Sequence, residues 1–255
     1  MNLSEAIEKQ SVLKKPKKSK SHSGFILYEG KSALDSSQNI VAIITTKSSN
    51  KKVGNMMQLW ILNKDVNPLT ASKQGLDNAV CGECNLRQSK GGACYVVLFQ
   101  APLQVWKSYK KGNYKHLEVD QYHKHFIDKK IRLGAYGDVS AIPISILATL
   151  KAFAANNTSY THQWKEKRFS GLKTFSMASV DNVTEAKQAV KDGWRYFRVA
   201  KQDEPMLKDE IICPSVTHGT KCIDCNLCNG SRGANERRKN IVIPVHGVRA
   251  NRFKS

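Results

Sequence analysis

The chain has 255 residues, 40% of them hydrophobic and 24% charged, which excludes a fibrous or low-complexity protein and leaves one large domain or two small ones. Forty-one Lys and Arg stand against 21 Asp and Glu, a formal net charge of +20. An excess that large points to a nucleic acid as partner, because basic side chains that neutralise phosphates release condensed counterions.

The opening MNLSEAIEKQSVLKK has no apolar core segment and carries acids, so it predicts no secretory signal and a place inside a cell. No apolar run reaches about 18 residues and no strongly amphipathic basic helix stands out, so no membrane role is expected. Residues 9–22, KQSVLKKPKKSKSH, are basic and almost free of core residues. They predict a disordered arm over 1–23. A single domain is expected over 24–247, followed by a basic tail over 248–255.

Within the domain, GFILYEG, NIVAIITTK and MMQLWILNKD are β-branched or aromatic runs separated by Gly, Asn and Ser. They predict an antiparallel β-unit over 24–66, with SSNKKVGN as a hairpin loop. Beyond residue 94 the pattern alternates. CYVVLFQ reads as a strand and APLQVWKSYKKG as a helix. KKIRLGAYGD reads as a strand ending in a Gly-rich loop, and SAIPISILATLKAFAANN as a helix. SYTHQW and KTFSMASVDN read as strands, VTEAKQAVKDG as a helix closing on Gly193, and WRYFRVAKQDE, EIICP and NIVIPVHG as strands. Strands alternating with helices imply parallel βαβ units. The expected fold is α/β, a partial (β/α) barrel of parallel strands, with a doubly wound open sheet as the alternative. No Gly-rich dinucleotide or phosphate loop follows any strand.

In such folds ligands bind at the carboxyl ends of the strands. Asp138, His162, Ser179 and His246 fall there, and Arg198 and Lys201 lie on or beyond a further strand. These residues are the expected lining of a site, with Arg198 or Lys201 taking a substrate phosphate or carboxylate. Asp138, Asp181 and Asn182 equally suit helix N-caps.

Seven cysteines in a reducing compartment point to metal rather than disulfides. Cys213, Cys222, Cys225 and Cys228 form one group, spaced C-x8-C-x2-C-x2-C across a loop at 213–230. A C-x2-C-x2-C loop suits a [4Fe–4S] cluster, and four thiolates would close the site; zinc is the alternative. Cys81, Cys84 and Cys94 form the second group. Either three thiolates hold a [4Fe–4S] cluster with one open iron, or His116, His123 or His125 completes a closed zinc site.

RLGAYGD, YTHQW, the Cys-Pro before C-x2-C-x2-C and the upstream three-cysteine group together resemble an uncharacterised phage-borne family, itself similar to the radical S-adenosylmethionine barrels. The likeness covers about residues 24–247. It implies a reactive cluster on Cys81, Cys84 and Cys94, an auxiliary cluster on the C-terminal four, S-adenosylmethionine as cofactor and the cytoplasm of a host cell. The radical enzymes use C-x3-C-x2-C, whereas the spacing here is x2 and x9. The leading expectation is an iron–sulfur enzyme acting on nucleic acid or a nucleotide, with the basic arm and NERRKN holding the polyanion. A zinc-stapled DNA- or RNA-binding protein is the second reading, and a phage effector that binds a host protein the third.

Overall fold

The computed structural model describes residues 23–254, so the expected basic arm, apart from its last residue, Ser23, lies outside the described residues. The first three strands are β1 (Gly24–Lys31), β2 (Asn39–Thr45) and β3 (Met57–Asn63), paired antiparallel in order. The expected β-unit is therefore present, with the 48–55 loop between β2 and β3. Ile40 to Ile44 on β2 are all fully buried, so this strand is covered on both faces. That is why its sequence reads as a continuous apolar run instead of alternating.

The chain then leaves the sheet through short helices α1 (Pro68–Lys73) and α2 (Asn78–Cys81), a cysteine-bearing loop, and α3 (Ala101–Lys110). CYVVLFQ forms no strand. It runs as loop and turn from 94 to 100. Its polar backbone is served locally, Cys94 N–H by Leu86 O at 2.8 Å and Val96 O by the Gln88 amide at 2.7 Å, so no strand edge is needed. A two-residue strand, β4 (Lys115–His116), pairs with β1, and α4 (Tyr122–Phe126) leads to β5 (Lys130–Tyr136).

From β5 onward the pairing is parallel. β5 lies beside β3 on one side and β6 (Asn156–Thr158) on the other, with α5 (Ile144–Phe153) between β5 and β6 in the chain. The expected helix over 140–157 is shorter at both ends, because Pro143 caps its start and Asn156–Thr158 pair with β5. A second sheet contains β7 (Tyr160–Thr161), β8 (Met177–Val180), β9 (Tyr196–Ala200), β10 (Glu210–Ile212) and β11 (Asn240–Pro244), in the order β10-β11-β9-β8-β7 and all parallel. α6 (Val183–Lys191) connects β8 to β9, while α7 (Pro214–Thr217) and α8 (Cys222–Cys225) lie between β10 and β11.

One residue, Ser159, separates β6 in the first sheet from β7 in the second. The two sheets thus meet along a single extended segment. The fold is α/β, with an antiparallel N-terminal part and a parallel remainder.

The RLGAYGD stretch has a structural reason. The register between β3 and β5 jumps from Gln58 opposite Arg132 to Trp60 opposite Tyr136. The extra residues form a bulge around Gly134, whose φ is +72° and whose missing Cβ would lie 2.7 Å from Gly137 O. Only glycine fits there without strain.

Candidate functional site

Strand side chains alternate between faces. Arg132, Gly134 and Tyr136 on β5, Thr158, Tyr160 and His162 along β6 and β7, and Phe197 and Val199 on β9 all point to the same side, where they line a cavity of about 310 Å³. All seven cysteines line this same cavity.

The two cysteine groups occupy opposite ends of it. Asp138 N–H donates to Val80 O at 2.8 Å, which sets Cys81 just beyond the carboxyl end of β5. Lys130 Nζ donates to Ile223 O at 2.7 Å, which sets α8 at the amino end of the same strand. Cys222 N–H and Ile223 N–H also reach Lys52 O and Val53 O, in the loop that precedes β3. The three-cysteine group therefore sits where parallel folds place their chemistry, while Cys222, Cys225 and Cys228 close the other end and Cys213 joins the wall from just beyond β10.

Asp138 organises the first end. Its Oδ1 accepts from Ser140 N–H, Ser140 Oγ and Thr161 Oγ1 at 3.0, 2.7 and 2.8 Å, and its Oδ2 accepts from His162 N–H at 2.8 Å. Both carboxylate oxygens are committed to tying β5 to β7, so Asp138 positions His162. The His162 ring places Nε2 3.6 Å from Cys84 Sγ and 3.9 Å from Asp181 Oδ1. Burial works against a charged imidazole, but Cys84 and Asp181 beside it prevail and raise its pKa well above the usual histidine range. Asp181 Oδ1 is buried with no hydrogen-bond partner among the described residues.

Gln163 holds the Cys81–Cys84 turn. Its amide nitrogen donates to Cys81 O at 3.3 Å and its amide oxygen accepts from Glu83 N–H at 3.4 Å. Gly82 adopts φ 53°, ψ −135°, and a Cβ there would fall 2.7 Å from the Gln163 amide. Gly82→Ala is therefore expected to destabilise the protein by about 1–3 kcal/mol, through backbone strain and displacement of Gln163. Urea denaturation of the variant beside the native chain measures it, and an unchanged midpoint would contradict the clamp.

Cys213 is buried and the other six cysteines are half-buried. Burial pushes Cys94 up to about 11 and Cys228 up to about 12. Burial raises Cys81 well above the usual thiol range, and the neighbouring Cys84, Cys94, Asp77 and Asp138 add to it. A thiolate at Cys81 has acids around it, so only a bound positive centre would hold it ionised. The donor set, thiols with one imidazole, suits a soft thiophilic centre. Among the described residues, no three His, Cys, Asp or Glu side chains are drawn together tightly enough to hold a metal ion as they stand.

The other expected site residues divide. Ser179 and His246 line the cavity. Arg198 does not: it faces the opposite side of β9 from Phe197 and Val199, is fully buried, and forks onto Glu210. Its guanidinium is spent on structure and is not available to a substrate in the cavity. Lys201 is exposed beyond the strand and does not line the cavity either. His116 pairs with Glu29 at 3.2 Å, His125 packs on Phe25 and His123 on Phe153, so none of the three lies in the cavity. The histidine beside the first thiol group is His162. Tyr95, Arg132, Tyr136 and Tyr160 were not anticipated. Alternation along KKIRLGAY and NTSYTH was the signal that put Arg132 and Tyr160 on one face.

No protein-family model, curated protein or solved structure matches the chain. Among the described residues no helix is long and apolar enough to cross a membrane.

Proposed function

We propose that the chain is an iron–sulfur protein of barrel-like build, an enzyme of the radical S-adenosylmethionine-like class that acts on nucleic acid or a nucleotide. One observation carries this reading: seven cysteines from distant parts of the chain line one cavity, Cys81, Cys84 and Cys94 at the carboxyl end of β5 and Cys222, Cys225 and Cys228 toward its amino end, with Cys213 following β10. Cys81, Cys84 and Cys94 would hold a cluster with an open iron, which a cofactor such as S-adenosylmethionine would ligate. Cys213, Cys222, Cys225 and Cys228 would hold a closed one. His162, Ser179 and His246 would face the substrate, and Asp138 would fix His162.

The approach of Cys84 Sγ to His162 Nε2 favours a second reading. With Cys81 and Cys94 these make a Cys₃His set, and the C-terminal four a Cys₄ set, both common for structural zinc. The chain would then be a zinc-stapled DNA- or RNA-binding protein.

Metal analysis and visible absorption of protein purified without oxygen separate the two. A brown protein with about eight irons per chain fits two [4Fe–4S] clusters. A colourless protein with about two zincs overturns the iron–sulfur reading and leaves the second one.

The net charge of +20 supports the polyanion partner. Affinity for a mixed-sequence oligonucleotide is expected to fall on the order of a hundredfold between about 50 and 200 mM salt. Absence of binding at the lower salt would remove nucleic acid from the proposal.

A further inference from the structure

Arg132 lies between the two cysteine groups, on the cavity face of β5. Arg132 is half-buried, and an arginine drawn in from solvent is ordinarily paired with a carboxylate, as the fully buried Arg198 is with Glu210 at 2.7 Å. Arg132 has no such partner. Among the described residues it forms no ion pair, and its one hydrogen bond runs from Nη2 to Tyr95 Oη at 2.7 Å. Among the described residues the only carboxylate that lines the cavity is Asp138, at the far end, with both oxygens already occupied. Lys52 adds a second positive charge to the wall. The cavity thus presents a guanidinium with unused donors and no internal counterion.

The walls around Arg132 are apolar or aromatic. Tyr160 packs on Phe197 with ring centroids 4.5 Å apart, and Val199, Leu227 and Ile243 complete the surface. Tyr95 closes the arrangement from the loop side, where it stacks on His246 at 5.5 Å. A few placed polar groups in a mostly apolar cavity of this size are the usual make-up of a small-molecule site.

We infer that Arg132 and the Tyr95 hydroxyl form an oxyanion-binding subsite, which takes the carboxylate or phosphate of a small molecule whose planar apolar body lies against Tyr160 and Phe197. Two parallel N–H donors of a guanidinium match the two oxygens of either group. The inference names the substrate class of the proposed enzyme and rests on reading the cavity as a substrate site, whichever metal the cysteines hold. It also bears on the nucleic-acid partner: a polymer does not enter a cavity of about 310 Å³, whereas one nucleotide of it, or a free small anion, presents the required group.

The test is calorimetric titration of the purified, metal-containing protein with benzoate, phenyl phosphate and the neutral benzamide, alongside Arg132→Gln and Tyr95→Phe, with metal content measured on every sample. Saturable binding of at least one anion, roughly tenfold or more tighter than benzamide, is expected, and Arg132→Gln is expected to remove that preference while metal content stays unchanged. Preference for phenyl phosphate identifies a phosphate ligand, and preference for benzoate a carboxylate. Tyr95→Phe is expected to weaken the preferred anion without abolishing it. Affinities for benzoate and phenyl phosphate that are both no tighter than for benzamide, or anion binding that survives Arg132→Gln, overturn the subsite. So does loss of metal from Arg132→Gln in a protein that binds none of the anions, because Arg132 would then be the counterion of the Cys222 thiolate group. Failure of the iron–sulfur reading appears separately, as zinc in the same samples with the anion preference intact.

Discussion

Glu210→Ala is expected to destabilise the protein by about 3–5 kcal/mol, because it strands a buried guanidinium. Arg198 is fully buried on β9. Its Nε and Nη2 reach the two oxygens of Glu210 at 2.7 and 2.8 Å, its Nη1 reaches Glu204, and Nη2 also donates to Pro205 O at 3.1 Å. Glu210 accepts in addition from Leu207 N–H at 2.8 Å, so the pair pins the 201–209 connection to β10. Removing the carboxylate leaves Glu204 as a partial partner, which places the loss toward the lower end of the range. Replacing both Arg198 and Glu210 with leucine is expected to recover most of it, since the desolvation of both charges then disappears together. The pH dependence has a definite sign. Burial raises the Glu210 pKa, but the Arg198 fork outweighs it and holds the group below the usual glutamate range. A carboxyl whose folded pKa is depressed stabilises the fold above its unfolded pKa and loses that contribution as pH falls through the folded value. Glu236, held at about 2 against its burial chiefly by Arg238, has the same sign. Urea midpoints of the native chain and the variant are thus expected to differ most near neutrality and to converge in acid. Equal midpoints at neutral pH would mean that the pair carries no net stability.

Most of the parallel strands were legible because they are short β-branched or aromatic runs bounded by Gly, Asn or a helix cap, as at Asn182 before α6, whereas β6, the Asn156–Thr158 stretch, has no such composition and its first two residues read as the end of a helix. CYVVLFQ has the same composition, yet composition says only that a segment tolerates extension, and pairing requires a free neighbouring edge. Arg198 illustrates a second limit. Its place on a strand made it look like a site residue, but with Phe197 and Val199 on the cavity face the two-residue period turns Arg198 away. Which face is inward depends on the neighbouring strands, and a sequence does not state that by itself. The first cysteine group shows the same dependence on long-range placement. His116, His123 and His125 are nearer to it in the chain, yet the histidine beside Cys84 is His162, 78 positions on. Asp138 brings it there by joining the ends of β5 and β7. Arg132 was passed over for a related reason: it lies mid-strand, whereas the search for chemistry followed the strand ends.

Cysteine substitutions at the two ends are expected to separate stability from reactivity. The 222–230 loop is a junction of the fold. Cys222 N–H bonds to Lys52 O, Ser159 N–H to Cys228 O at 2.9 Å, Arg195 to Leu227 O at 2.6 Å and Arg238 to Gly230 O at 3.0 Å. Cys213 and Cys228 pack in a small core of their own with Met177, Ile241 and Ile243. A metal centre on these thiols joins the loop before β3, the point where the two sheets meet, and the start of β9. Cys228→Ala is therefore expected to lose that centre and to lower the melting temperature on the order of 10 °C, since binding energy at a structural site is folding energy. Cys84 stands on a turn already held by Gln163 and carries no comparable junction. Cys84→Ala is expected to stay folded, to melt within a few degrees of the native chain and to keep the metal of the C-terminal group while losing that of the first. Circular dichroism melts and metal analysis of both variants, purified without oxygen, read the two effects independently. If both variants keep the native metal content and melting temperature, the seven cysteines are packed as small apolar side chains and the metal reading falls. If Cys84→Ala is the one that fails to fold, the first group is a structural staple, and the reaction must be sought elsewhere in the cavity.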